Sequence, residues 1–268
     1  MPKPIFQQIY IEITNLCNLH CPFCGISKRP IREMLVPEFQ SILKKVKPYT
    51  DSIYLHVKGE PLLHSAFPQI IRICEEEQVK VKITTNGTLL LKYEELLLNS
   101  PSIKRINISL QSIFGMPTKV QEQYFNDLKT FIDHNKNKHI YLRMWAINDQ
   151  KKEHLLETLN KIGLVDNKYL HYSYEEEFTW PTMEAEELSP SKCLGGKKQL
   201  AVLSDGMVTL CCLDQDGKTC LGNLLTNSLE EILASEKYRL AVEQMPYLPL
   251  CRRCSYRLRF KKGGMKSS

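Results

Sequence analysis

Residues 9–24, IYIEITNLCNLHCPFC, place a short β-branched strand pattern directly before three cysteines. Cys17, Cys21 and Cys24 are spaced x3 then x2, so one loop at the end of one strand can wrap one metal centre. Three thiolates on a cubane-type iron–sulfur cluster leave one iron with an open position, as catalytic metal sites do for substrate. A structural zinc would want a fourth Cys or His, and His20 is adjacent in sequence.

Strand and helix patterns alternate onward from this stretch. Further strand patterns are SIYLHV (52–57), VKVKIT (79–84), INISL (106–110), HIYLRMWAI (139–147) and YLHYSY (169–174). Between them run the periodic stretches PEFQSILKKV, AFPQIIRICEEE, YEELLLN, VQEQYFNDLKTFIDHN and KKEHLLETLNKIG. Six strand-then-helix units predict a parallel α/β sheet. An open doubly wound sheet and an incomplete barrel are both admissible, and in either the chemistry sits at the C-terminal ends of the strands. After about residue 176 the pattern changes. EEEFTWPTMEAEELSPSK reads as a linker, and KQLAVLS, MVTLCCL and KTCLGNL read as short strands joined at Asp205-Gly206 and a DQDG turn. One helix, SLEEILASEKYRLAVEQ, follows with a capping box at Ser228 and Glu231, and Cys251-Arg-Arg-Cys254 closes the segment.

Composition narrows the class. The 268 residues are 43% hydrophobic and 25% charged, which excludes a disordered, collagen-like or coiled-coil chain. Ten cysteines are too dilute for a disulfide scaffold. The start, MPKPIFQQIY, has no secretory pattern and no run approaches a membrane span, so a cytoplasmic setting and no membrane partner are expected. In a reducing compartment, clustered cysteines bind metal or do chemistry. The net charge of +6 owes much to Arg252, Arg253, Arg257, Arg259, Lys261, Lys262 and Lys266, read as a solvated tail; a nucleic-acid partner is not expected.

CxxxCxxC after a first strand, with Phe23 before the third cysteine, resembles the radical S-adenosylmethionine (SAM) superfamily. The resemblance implies a partial (β/α)6 TIM-like barrel, with a [4Fe–4S] cluster on Cys17, Cys21 and Cys24. It also implies SAM on the open iron, whose reductive cleavage gives a 5′-deoxyadenosyl radical that abstracts hydrogen from substrate. Lys58-Gly59-Glu60-Pro61 resembles the family's GGEP stretch, with Lys58 in place of the first glycine. Thr84-Thr85-Asn86-Gly87 resembles its TNG turn, and Ser109, Gln111 and Arg143 stand at successive strand ends. SAM contacts are therefore expected from Phe23, Gly59, Glu60, Asn86, Ser109, Gln111 and Arg143.

Cys193-x12-Gly206-x4-Cys211, followed by Cys251-x2-Cys254, can complete a four-thiolate cage for zinc or an iron–sulfur cluster. The pattern resembles the SPASM domain in its shortened twitch form, which implies one auxiliary [4Fe–4S] cluster and two clusters in all. Expected bounds are 1–178 for the barrel, 179–260 for the β-hairpin-plus-helix Cys-rich domain and 261–268 for a disordered basic tail. Cys74 reads as a buried structural thiol, and strand alternation would turn Cys212 away from Cys211. Asp214 and Glu177 are candidate bases, and Trp145 and Trp180 candidate pocket walls. The resemblance also implies a one-electron reductant such as flavodoxin or ferredoxin.

Three functions compete. They are oxidation or rearrangement of a small molecule, modification of a peptide or protein, and a non-catalytic metal-binding module. Cys17 lies so near the start that a leader-peptide-binding domain is not expected ahead of the barrel.

Overall fold

The computed structural model describes residues 5–25, 27–164, 168–174, 178 and 180–262. Its strands β1 (Gln8–Ile11), β2 (Ser52–Tyr54), β3 (Lys80–Thr85), β4 (Ile103–Ser109), β5 (His139–Met144) and β6 (Leu170–Tyr174) are parallel and lie in sequential order. The first five lead into α1 (Val36–Val46), α2 (Phe67–Glu76), α3 (Glu94–Asn99), α4 (Thr118–His134) and α5 (Asp149–Lys161). A doubly wound sheet would reverse its strand order at a switch point, whereas this order runs one way, as in a barrel. β6 ends the sheet without pairing to β1, so the barrel is partial.

Strand alternation sorts the side chains. Ile9 and Ile11, Ile53 and Leu55, Val81 and Ile83, Ile106 and Ile108, and Ile140 and Leu142 are fully buried in the main apolar core. The intervening residues are polar or aromatic: Tyr10 and Glu12, Tyr54 and His56, Lys82 and Thr84, Arg105 and Asn107. Period-two alternation sends these to the other face, the lumen. The core thus stabilises the barrel from outside and leaves a polar interior free for chemistry.

The cysteine-rich segment extends the same sheet. β7 (Gln199–Val202) pairs in parallel with β1 over four residues, and β8 (Met207–Thr209) and β9 (Gly222–Asn223) continue antiparallel. Gly206 has φ +83°, which the Asp205-Gly206 turn requires and a side chain would strain. The expected single helix is two, α6 (Leu229–Ala234) and α7 (Glu236–Glu243), because Ser235 is extended and its hydroxyl accepts the Tyr238 N–H as a cap. The Ser228–Glu231 capping box is present. A short α8 (Pro249–Arg252) carries Cys251.

One expectation is corrected here. Arg257 belongs to no solvated tail: it is 2% exposed and donates to the carbonyls of Pro246, Leu188 and Arg252. Those acceptors replace the water a guanidinium would lose. Residues 263–268 of the expected basic tail lie outside the described residues. Among the described residues no helix is long and apolar enough to cross a membrane.

One buried carboxylate ties these parts together. Glu12, just past β1, is fully buried and accepts both 2.6 and 2.8 Å bonds from Arg29 Nη2. It also accepts the backbone N–H of Lys58 at 2.9 Å and of Ser204 at 3.1 Å. Arg29→Met would leave the charge buried with its main partner gone, so unfolding in urea should show a loss of about 3–5 kcal/mol. A loss below about 1 kcal/mol would contradict the role given to this pair.

Candidate active site

A cavity of about 520 Å³ opens at the C-terminal ends of the strands and collects both cysteine sets. Cys17, Cys21 and Cys24 line one part of it, and Cys193, Cys211, Cys251 and Cys254 another. His20, the alternative zinc ligand, is exposed and outside the lining. The thiols surround a volume rather than one point: among the described residues no three His, Cys, Asp or Glu side chains are grouped to hold a single ion. This donor set fits a polynuclear centre, whose sulfur ligands must stand apart.

The first loop is shaped to leave its thiols open to the cavity. The Cys24 N–H closes a turn on the Cys21 carbonyl at 3.0 Å, and the Leu19 N–H points at Cys17 Sγ at 3.5 Å. Gly115, after β4, lies so close that a Cβ would come within 3.0 Å of Cys21 Sγ and 3.1 Å of its Cα. Burial, with Cys24 and Cys17 beside it, pushes the Cys21 thiol up to about 11. A metal centre supplies the positive charge that would make such thiols into ligands.

The 58–61 segment docks against this loop. Gly59 has φ +76°, and a Cβ there would lie 2.4 Å from the Thr14 carbonyl oxygen, so only glycine fits. Lys58, the departure from the family pattern, has a defined place: its ammonium donates to Cys24 Sγ at 2.8 Å and to the Gly25 carbonyl, 5.5 Å from the Trp180 ring centre. Glu60 is buried and accepts the N–H groups of Asn86 at 2.6 Å and Leu62 at 3.1 Å. Asn86 in turn donates to Asn18 at 2.8 Å and approaches Cys17 Sγ at 3.8 Å. Thus the turn after β3 touches the loop after β1.

Phe23, Ser109, Gln111, Arg143 and Trp145 also line the cavity. Gln111 accepts the Trp145 N–H at 3.4 Å, and the Arg143 guanidinium lies 3.2 Å from the Trp145 ring centre. Arg143 donates to Thr84 at 3.4 Å, and its Nε has no partner among the described residues. A half-buried, incompletely paired guanidinium facing a cavity is suited to an incoming carboxylate.

At the other wall, Cys211 and Cys251 are pushed up by burial and by Cys193 and Cys254, Cys251 to about 12. The Arg257 charge opposes this at Cys251 and Cys254. Cys212 also lines the cavity, beside Tyr10 and Arg143, against the expectation that it turns away. The cause is local: β8 ends at Thr209, so strand alternation no longer applies at 211–212. Cys74 is fully buried in α2 as expected, and Cys220 lines a separate pocket.

Asp214 lines the cavity, but Lys218 N, Thr219 N and Thr219 Oγ1 donate to its oxygens at 2.6–2.8 Å, so it braces a turn. Glu177 lies outside the described residues. Trp180 lines the cavity and tilts against Phe178, which packs edge-on to Tyr256. The stretch expected to be a plain linker therefore walls the site. Sequence reading passed over Glu12, Arg29, Tyr10, Tyr54, His56, Lys82 and Arg105; polar residues alternating with Ile and Val inside strands were the available signal.

Burial raises Glu60 to about 7, against a usual value of 4.5, despite the N–H groups that favour its ionised form. The folded chain then keeps a proton that the unfolded chain releases above pH 4.5. The resulting stability is fully present below about pH 4.5 and is lost as pH rises through about 7. Relative to Glu60→Gln, the cofactor-free parent should lose up to about 3 kcal/mol between pH 5 and 8, read from urea unfolding at each pH. A difference constant across that range would contradict it.

Comparison with known proteins agrees with this geometry. The profile of the radical SAM superfamily matches residues 11–162, and that of the SPASM iron–sulfur cluster-binding domain matches residues 193–255. A GTP 3′,8-cyclase of Alkaliphilus oremlandii (strain OhILAs) is 37% identical over 120 residues, covering 42% of this chain and 36% of that protein. The chain therefore spans little more than a third of that curated relative. Among solved structures, BtrN in complex with AdoMet and 2-DOIA has a TM-score of 0.67 at 18% identity, covering 95% of this chain and 94% of that one. Streptococcus suis SuiB bound to precursor peptide SuiA has a TM-score of 0.65 at 16% identity, covering 97% and 74%. At these identities the likeness is one of fold. The chain belongs to the radical SAM superfamily and carries a C-terminal SPASM domain, an enzyme whose cofactors are SAM and [4Fe–4S] clusters.

Proposed function

We propose that the chain generates a 5′-deoxyadenosyl radical and uses it to abstract hydrogen from a substrate held in the shared cavity, ending in oxidation or rearrangement. One observation carries this reading: both thiol sets line one continuous cavity rather than two separate sites. When bound, the cofactors supply a one-electron cleavage of SAM and, at the second wall, a place for the electron that substrate oxidation releases.

The residues divide the remaining work. Cys17, Cys21 and Cys24 would hold the open cluster, and Gly115 leaves room beside Cys21. Cys193, Cys211, Cys251 and Cys254 would hold the closed auxiliary cluster. Lys58, an ammonium at 2.8 Å from Cys24 Sγ, would offset the negative charge of the first. Glu60 and the strand edge at Gly59 would meet the SAM amino group, and Arg143 the SAM carboxylate through its planar fork. Asn86, Ser109 and Gln111 supply hydrogen-bonding edges, and Phe23 an apolar face. The aromatic wall of Trp145, Phe178 and Trp180 would keep water from a reactive radical.

A small-molecule substrate is the first reading. BtrN, matched over 95% of this chain and 94% of its own, is complexed with 2-DOIA, in keeping with this choice. Peptide modification is the second reading, favoured by SuiB, whose structure holds the precursor peptide SuiA.

Anaerobic protein given SAM and a strong reductant should release 5′-deoxyadenosine, measured by chromatography, and Cys21→Ala should reduce release to background. Equal release from parent and variant would overturn the assignment.

A further inference from the structure

Below the strand ends, the lumen holds three cations with no acidic partner among the described residues. Lys82 on β3, Arg105 on β4 and Arg143 on β5 all line the cavity. Each leans on an aromatic ring: Lys82 Nζ is 5.3 Å from the Tyr54 centroid, Arg105 Cζ 3.4 Å from Tyr141 and Arg143 Cζ 3.2 Å from Trp145. Their hydrogen bonds to side chains go to neutral groups, Arg105 Nε to Asn107 at 2.8 Å and Arg143 Nη1 to Thr84 at 3.4 Å.

The described carboxylates of the cavity do not balance them. Glu60 serves the N–H groups of Asn86 and Leu62, and Asp214 serves those of Lys218 and Thr219. Nor does another ionised base share the space: burial and Arg143 pull His56 down to about 3, so it is neutral. The cations also repel one another, Arg105 lowering both Lys82 and Arg143 after burial has done so. Arg143 Nε and His56 Nδ1 are buried without a partner among the described residues. Like charges held together in a half-buried lumen repel one another unless an anion joins them.

With Arg143 proposed for the SAM carboxylate, Lys82 and Arg105 are left facing the remaining lumen.

We propose that Lys82 and Arg105 form an oxyanion subsite, so that the substrate carries a phosphate or carboxylate group seated in the barrel interior. This rests on the reading of the cavity as the radical SAM active site. A planar guanidinium and a mobile ammonium from adjacent strands, paired in register as Lys82↔Arg105, can share the oxygens of one such group.

The test is equilibrium dialysis of anaerobic holoenzyme against labelled inorganic phosphate and, separately, labelled acetate at low ionic strength. The parent should bind about one anion per chain, each displacing the other, and Lys82→Gln/Arg105→Gln should weaken binding by about tenfold or more. Tighter phosphate points to a phosphoryl substrate and tighter acetate to a carboxylate; either supports the subsite. A second measurement needs no variant. The 31P relaxation of bound phosphate in the parent should quicken when the clusters are reduced to a paramagnetic state. No binding by the parent, unweakened binding by a folded variant, or unchanged relaxation would overturn the proposal. Release of 5′-deoxyadenosine by the same parent preparation reports on the catalytic reading separately. Release without anion binding defeats the subsite alone, and binding without release defeats the radical assignment alone.

Discussion

The Glu12 carboxylate is the point on which the rest of the site depends. It sits at the end of the first strand, where a buried charge is costly unless every oxygen is met. Arg29 meets it from the chain just after the cysteine loop, Lys58 N from the loop after β2 and Ser204 N from the hairpin of the cysteine-rich segment. One side chain therefore fixes the relative positions of both cysteine-bearing regions and of the glycine turn between them. Gly59 follows at once: the close approach that a Cβ would block is to the Thr14 carbonyl, two residues past Glu12.

The second constraint is the inversion of the barrel's polarity. Isoleucines and valines face the helices and give the fold its stability, while the inward residues are tyrosines, histidines, lysines, arginines and amides. Filling the lumen with apolar side chains would have made a better core and no chamber. The tyrosine rings instead pack against cations, as Tyr54 does with Lys82 and Tyr141 with Arg105, keeping the charges ordered without neutralising them. Stability and function are thus assigned to opposite faces of the same strands.

Much of this was legible in the linear chain. Cysteine spacing marked both thiol sets, and the strand–helix alternation marked the parallel sheet, because both signals are local. The glycine turns at 59 and 87 could be placed from short motifs, and the Ser228 cap from one four-residue pattern. What escaped depends on distant pairing. Nothing near Gln199–Val202 says that it will lie beside β1, and Arg257 reads as a tail residue until carbonyls 5, 11 and 69 residues away enclose it. The helix break at Ser235 was readable in principle, since serine favours caps, but an apolar period running through it concealed the stop. Lys82 and Arg105 looked like ordinary strand polar residues because sequence alone does not say which face is wet.

The central claim is that one chamber lies between two unlike iron–sulfur sites, one open to SAM and one closed. Mössbauer spectroscopy of anaerobically reconstituted, 57Fe-labelled protein tests it most directly. The account predicts about eight irons per chain as two four-iron clusters, with SAM perturbing an iron of one cluster only. It also predicts that Cys251→Ala loses the unperturbed cluster and keeps the SAM response. A single four-iron cluster unaffected by Cys251→Ala, or two clusters that both ignore SAM, would contradict it.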